Sequence, residues 1–137
     1  MLDCIAAEHL DAIWPAVLPW FEAIERRSKG REAVASIRSD LERQNAQLWL
    51  WWRHELKALA VTEIKQFPGA LVCRIRIVTG SDRDLWLADG MARIEEWAAS
   101  IGCHQVETSA RLGWDRDLKG LGYRKSHILC TKDLSHV

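Results

Sequence analysis

The chain has 137 residues, of which 48% are hydrophobic and 28% are charged, and its formal net charge is zero. This length and composition are typical of one folded domain, so we take residues 1–137 as a single domain that needs no disulfide or metal to hold its core. A neutral chain has no long-range attraction to nucleic acid or anionic lipid, and neither is expected as a partner.

The chain also lacks signals for a membrane, for export and for a metal. No stretch approaches the roughly 18 consecutive apolar residues of a membrane span, and the N-terminus lacks the basic-then-apolar order of a signal peptide. We therefore expect a cytoplasmic protein. Its cysteines are widely spaced and form no C-x-x-C pair, which favours reduced thiols over a zinc site.

Two helices are predicted after a short first strand over residues 2–7. From His9 to Arg27 apolar residues recur at helical spacing, and Pro15 and Pro19 inside this stretch are expected to kink or interrupt the helix. A second amphipathic helix is predicted over residues 34–45.

The middle of the chain predicts three consecutive strands. Residues 48–52 and 59–67 form the first two, joined as a hairpin. The third follows the Pro68-Gly69 turn and should present one apolar face. That face consists of Leu71, Cys73, Ile75 and Ile77.

A long helix follows the third strand. Gly80 ends the strand, and Ser81 with Asp84 has the spacing of a capping box that opens the helix, which Gly102 stops. The chain then predicts a strand over residues 105–110, a short helix over 115–119 and a last strand over 123–131. The crossover from Leu71 to Ala110 implies a parallel pair inside a mixed sheet.

This order of elements, (β)-α-α-β-β-β-α-β-α-β, resembles the GCN5-related N-acetyltransferase (GNAT) superfamily over nearly the whole chain. Residues 94–103 look like the family's central helix with its terminal glycine, and Leu121-Gly122-Tyr123 looks like its "Leu-Gly-Phe" signature. The resemblance implies an α/β (α+β) fold with a mixed, mostly antiparallel sheet flanked by helices. It also implies transfer of an acetyl group from acetyl-CoA to an amine.

In such folds acetyl-CoA lies where the strand before the central helix splays from its neighbour, and backbone amides at the helix start hold the pyrophosphate. The resemblance therefore assigns a cofactor-binding role to Ile77, Val78, Thr79, Gly80, Ser81, Arg83 and Leu85. The family's glycine pattern is missing from this loop. Asp82 and Asp84 stand instead where a dianionic pyrophosphate would rest.

The resemblance also bears on proton transfer. Many family members place a proton-donating tyrosine five residues before the signature aromatic, but that position is Leu118 here, and Tyr123 is the structural aromatic. An amine nucleophile must lose a proton. The candidate bases are Glu63 and Glu107 on predicted strands, each of which is otherwise an ordinary solvated carboxylate.

Aromatic side chains offer candidates for ligand or partner contacts. Trp49, Trp51 and Trp52 lie close together in a chain with eight tryptophans, and indoles suit either a core or an interface. Arg111 and Trp114 follow a strand that should end near the cleft. They form a candidate ligand or partner site, or a plain loop packed on the indole.

Two functions remain open from the sequence. One is an N-acetyltransferase, with an amine-bearing small molecule or protein as its partner. The other is a catalytically inactive GNAT-fold protein with a role in virion structure, assembly or host-protein interaction. That alternative rests on a similarity of Trp14-Pro15, Thr62-Glu63-Ile64 and residues 111–114 to phage and prophage proteins. A homo-oligomer is compatible with either function.

Overall fold

The computed structural model of the chain describes residues 2–109 and 114–134. The strands are β1 (Leu2–Ile5), β2 (Gln47–Arg53), β3 (Glu55–Phe67), β4 (Ala70–Gly80) and β5 (Gln105–Thr108). The helices are α1 (Leu10–Arg27), α2 (Val34–Glu42), α3 (Arg83–Ser100) and α4 (Asp115–Gly120), with a 3-10 turn at Ala7–His9 before α1.

The strands of the described residues form one five-stranded sheet in the order β1-β2-β3-β4-β5. Pairing is antiparallel from β1 to β4, and β4 and β5 are parallel because α3 carries the chain back between them. The predicted fold class, a mixed and mostly antiparallel sheet flanked by helices, is confirmed.

Helices cover both faces of the sheet, so β2 is apolar on both of its sides. Leu48 and Leu50 pack in the cluster beneath α1 and α2, whereas Trp49 packs in the cluster beneath α3. In a strand that is covered on both faces, consecutive residues are all apolar rather than alternately apolar and polar. This accounts for the apolar run from Leu48 to Trp52. Most of the tryptophan area in this strand is therefore core.

The α3 side of the core contains one buried polar connection. The Trp49 Nε1–H donates to Thr62 Oγ1 over 2.9 Å, and the Thr62 hydroxyl donates to Gln47 Oε1 over 2.9 Å. Thr62 is fully buried, so its hydroxyl needs both partners. This short chain of hydrogen bonds fixes the rotamer of Trp49 across β2 and β3.

Helix α1 runs without a break through Pro15 and Pro19, contrary to the expected interruption. Both prolines are exposed, so the carbonyls that lose a helical partner stay near water. The stripe of Leu10, Val17 and Phe21 is buried and holds the helix on the sheet. Among the described residues, no helix has the length and apolarity to cross a bilayer.

Strand β4 contains a bulge that the alternating sequence pattern did not predict. Val61 pairs with Ile77 and Thr62 pairs with Ile75, so Arg76 is an extra residue on β4. An extra residue reverses the side-chain alternation beyond it. Cys73 and Ile75 accordingly face α3, but Ile77 faces α1 and α2, and the predicted single apolar face is wrong.

The start of α3 also differs from the prediction. Asp82 is its N-cap with a left-handed backbone (φ 55°) and makes no side-chain cap hydrogen bond, so the capping box of Ser81 and Asp84 is wrong. Gly80 does end β4, and the position requires glycine because a Cβ there would lie 2.5 Å from the Ala58 Cβ. Gly102 terminates the helix region with φ 94°.

The predicted last strand is absent. Residues 123–131 have no regular secondary structure, and residues 124–134 are exposed. The other prediction in this region, β5, is shorter than residues 105–110 and ends at Thr108, with Ala110 outside the described residues. The physical reason for the missing strand is that an isolated segment gains no ladder hydrogen bonds unless it finds a sheet edge.

Candidate functional site

An opening lies between β4 and β5 on the side toward the start of α3. In the described residues the β4–β5 ladder ends with Ile75 opposite Thr108, and the Thr108 hydroxyl donates to the Ile75 carbonyl over 3.2 Å. Beyond this point β4 continues through Gly80, and none of the residues that the structure describes pairs with it on that edge. Because alternate residues of a strand direct their N–H and C=O groups to opposite edges, part of this backbone faces the opening.

The opening encloses a volume of about 390 Å³. Residues from several elements line it: Ile24, Arg27, Ser28 and Glu32 from α1 and the turn after it; Arg76–Gly80 from β4; Arg83 from α3; Thr108 and Ser109 from the end of β5; and Trp114 from the start of α4. A smaller cavity of about 200 Å³ beside β1 has no charged lining residue. The larger opening is therefore the candidate site, since it combines apolar walls with several polar groups.

One wall of the opening is an ion cluster around Arg76. Its Nε and Nη2 donate to both carboxylate oxygens of Glu32 over 2.7 to 3.2 Å, and its Nη1 donates to Asp40 Oδ2 over 2.7 Å. Glu63 adds a third carboxylate at 3.9 Å. These partners, Glu32 first, raise the pKa of Arg76 above its ordinary value, so its charge is permanent.

The opposite wall is formed by Arg83 and Trp114. The guanidinium carbon of Arg83 lies 4.5 Å from the centre of the Trp114 ring, which is a cation–π contact. The same guanidinium is 3.5 Å from Asp117 Oδ2 on α4. Two groups at the start of α4 thus position the Arg83 side chain in this wall.

Comparison with solved structures identifies the architecture. A probable acetyltransferase superposes with a TM-score of 0.71 at 14% identity, covering 100% of this chain and 98% of that one. An aminoglycoside acetyltransferase from an uncultured soil metagenomic sample gives 0.72 at 15% identity, with 98% of each chain covered. An aminoglycoside N-acetyltransferase in complex with CoA gives 0.67 at 11% identity, with 99% and 100% covered.

The chain has the GNAT fold. No family model matches the sequence, and no curated protein matches it. At these identities the likeness concerns the fold, and chemistry must be argued from the site itself.

Most residues that the GNAT resemblance assigned to the cofactor do line the opening. Those that line it are Ile77, Val78, Thr79, Gly80 and Arg83. Ser81 and Leu85 do not. The Ser81 amide donates to the Lys57 carbonyl, and Leu85 is 57% exposed with its amide bonded to the Asp82 carbonyl.

The two predicted bases do not line the opening. Glu63 faces Arg76 and lies 3.7 Å from Lys65 Nζ, and Glu107 is 3.1 Å from Arg74 Nε on the neighbouring strand. Each carboxylate thus has a cationic partner, as expected for ordinary strand residues. The carboxylate that does line the opening is Glu32, which the sequence reasoning missed because Glu32 and Arg76 are far apart in the chain.

The signature aromatic Tyr123 has a structural role in this GNAT fold. Its hydroxyl donates to Glu95 Oε2 over 2.6 Å, and its ring packs against the α3 side of the core. Burial first, and then this hydrogen bond, raise the pKa of Tyr123 above its ordinary value. The phenol is therefore a poor source of a proton at neutral pH.

The tryptophans divide between core and surface. Trp49 is fully buried, which excludes it from a contact surface, and Trp51 is partly buried against the same cluster. Trp52 is 39% exposed. Trp114 lines the opening as expected, and Arg111 lies outside the described residues.

Proposed function

We propose that this chain is an N-acetyltransferase that binds acetyl-CoA in the opening between β4 and β5 and transfers the acetyl group to an amine. The observation that carries the proposal is the opening itself: within residues 2–109 and 114–134, β4 has no partner strand on the β5 side after Ile75, and a cavity with charged lining residues lies there. Support at the level of the fold comes from acetyltransferase neighbours, one of them a CoA complex.

The residues around the opening fit the two ends of acetyl-CoA differently. The stretch of β4 from Ile77 to Gly80 lines the opening and offers backbone groups to the amides of the pantetheine arm, and Arg27 and Arg83 offer cations to the phosphates. Asp82 and Asp84 at the start of α3 oppose that attraction. We therefore assign the phosphate end to the arginine side chains rather than to a glycine-rich loop.

Acetyl-CoA would supply a thioester, and the chain's own residues would bind and orient both substrates. Glu32 is the carboxylate among the described lining residues, and Arg76 holds it in place through two nitrogens. A carboxylate held in this way can accept a hydrogen bond from a substrate ammonium. Its proposed role is to orient the acceptor ammonium, while the proton leaves to water.

Titration of the protein with acetyl-CoA tests the proposal. We expect the wild type to bind with measurable heat and to gain thermal stability through the linkage of binding to folding. Arg83→Ala should weaken the affinity about tenfold, because one charge-assisted contact to a phosphate is lost. The matched control is Arg116→Ala, which removes an exposed arginine of α4 that does not line the opening.

Two results would contradict the proposal. One is the absence of heat with the wild type at high micromolar acetyl-CoA. The other is an equal loss of affinity in Arg83→Ala and Arg116→Ala, which would indicate general charge attraction. If binding is found, release of free CoA thiol in the presence of aminoglycosides, polyamines and peptide amines would identify the acceptor class.

The second candidate function is that of an inactive GNAT-fold protein. Its support is the pair Asp82 and Asp84 with no glycine pattern at the start of α3. A wild type that fails to bind acetyl-CoA would favour it. The phage setting stays a prediction from the sequence, and the tryptophan contact surface that accompanied it loses Trp49, which is buried.

A further inference from the structure

We propose that the turn between α1 and α2 is the docking surface for the acceptor, and that the acceptor is a peptide whose reactive amine is followed by acidic residues. This substrate class rests on the proposed function, because it concerns the same opening. Four cations beside the opening carry it, called here the basic turn: Arg26, Arg27, Lys29 and Arg31.

The basic turn has more positive charge than its own surroundings neutralise. Residues 25–32 contain four cations and two carboxylates. All four cations are exposed, and none of them has an ion pair or a side-chain hydrogen bond with the residues that the structure describes. The two carboxylates are engaged elsewhere, since Glu25 accepts from the Val34 amide over 3.0 Å and Glu32 accepts from Arg76. The excess positive charge is therefore available to an anionic partner.

The position of the basic turn distinguishes it from an ordinary solvated run of cations. Arg27 and Ser28 line the opening at one end of the turn, and Glu32 lines it at the other end. Lys29 and Arg31 lie between these two points in the chain. An acceptor whose ammonium reaches Glu32 therefore has the rest of its length beside Lys29 and Arg31.

Hydrogen bonds within the turn hold its backbone in a fixed arrangement. The Ser28 hydroxyl accepts from the Glu32 amide over 3.0 Å, and the Ser28 carbonyl accepts from the Arg31 amide over 3.2 Å. Between these bonds Lys29 and Gly30 have left-handed backbones, with φ of 53° and 85°, which reverse the chain. A backbone that is already ordered loses little conformational entropy when a ligand binds.

An acidic peptide is the acceptor that size and charge favour. The opening of about 390 Å³ has to hold the reactive amine together with the thioester end of acetyl-CoA, so a longer acceptor extends outside it along the basic turn. Glu32 attracts one ammonium, whereas the basic turn repels further cations and attracts carboxylates. A polyamine or an aminoglycoside carries several cations and meets that repulsion. A peptide with one amine followed by acidic residues matches both charges.

Release of CoA thiol with matched peptides gives the first test. The peptides have equal length and a single free amine, followed by acidic residues, by their neutral amide counterparts or by arginines. We expect kcat/KM for the acidic peptide to exceed that for the amide peptide about tenfold, and the arginine peptide to be the poorest acceptor. The double variant Lys29→Glu/Arg31→Glu should abolish this preference. The control Arg43→Glu/Arg116→Glu makes the same change in net charge at exposed arginines that do not line the opening, and it should keep the preference.

Fluorescence anisotropy with the same peptides, labelled at the C-terminal end, requires no reaction and so separates docking from acetyl transfer. If the wild type fails to bind acetyl-CoA but binds the acidic peptide through Lys29 and Arg31, the acetyltransferase proposal is wrong and the docking surface stands. If acetyl-CoA binds but the acidic and amide peptides bind and react equally, the docking surface is wrong. Two further results would overturn it: an equal loss of preference in both double variants, or tighter binding of a single-stranded oligonucleotide of the same net charge, which would assign the basic turn to nucleic acid.

Discussion

At the residue scale, Arg76 determines the character of the candidate site. It is the extra residue of the β4 bulge, and its side chain is only 15% exposed. One guanidinium joins the turn after α1 through Glu32 and α2 through Asp40. Because a partly buried charge needs its partners, Arg76 holds these two elements against the sheet beside the opening.

Replacement of Arg76 by methionine tests this role. Arg76→Met keeps the apolar volume but leaves the carboxylates of Glu32 and Asp40 without their cation, so the free energy of unfolding should fall by about 3 kcal/mol. The control is Arg74→Met, whose 45% exposed side chain pairs with Glu107 and should cost less than about 1 kcal/mol. Urea unfolding measures both, and equal losses would refute the special role of Arg76.

At the scale of elements, the opening depends on how β3 and β4 approach each other at their far end. Gly80 pairs with Ala58, and a Cβ on Gly80 would lie 2.5 Å from the Ala58 Cβ and 2.7 Å from the Lys57 carbonyl oxygen. No real Cβ tolerates such contacts. The close approach places the end of β4 against β3, and the opposite edge of β4 faces the opening.

Gly80→Ala should therefore separate the two strands at this end and lower the free energy of unfolding by about 2 kcal/mol. Addition of Ala58→Gly should recover part of the loss, because it removes the Cβ contact but leaves the contact with the Lys57 carbonyl. Gly69→Ala, in the β3–β4 turn with open space around it, is the control and should change stability by less than about 1 kcal/mol. A harmless Gly80→Ala would contradict the close approach.

At the scale of the whole molecule, the sheet separates two apolar layers, and the α3 layer contains buried ionisable groups. Burial first, and then nearby Cys103, raises the pKa of the Cys73 thiol from 9.0 to about 12. Tyr123 in the same layer also has a raised pKa. Both groups are neutral in the folded state at neutral pH, and both ionise more easily in the unfolded chain.

This difference predicts alkaline destabilisation of the whole fold. A raised folded pKa gives stability that is complete below the unfolded pKa and is lost as the pH rises toward the folded pKa. From Cys73 alone the loss should approach about 1.4 kcal/mol per pH unit between about pH 9 and about pH 12. The urea midpoint of unfolding, measured across this pH range, tests the predicted loss of stability. Tyr123 should add a further loss that begins near the ordinary pKa of tyrosine, and the variant Tyr123→Phe should lack it. Midpoints independent of pH would contradict the burial of these groups.

The sequence determined those features that depend on neighbours along the chain. Helical spacing from His9 to Arg27, the alternation of β4 and the glycines at positions 80 and 102 are local patterns, and they predicted the order of elements through α4. For the Trp49 indole the sequence left two locations open, the core or an interface, and the indole is buried on the α3 face. The GNAT resemblance placed the expected cofactor region at the end of β4, and five of the residues it named line the opening.

Only the tertiary structure decided the composition of the opening. Glu32 and Arg76 are 44 residues apart, and no local pattern indicates that they meet. The bulge at Arg76 is equally invisible in the sequence, because it depends on the register that β3 imposes on β4. The strand predicted over residues 123–131 failed for a related reason: strand propensity is local, but a strand exists only where a neighbouring edge is available to complete its hydrogen bonds.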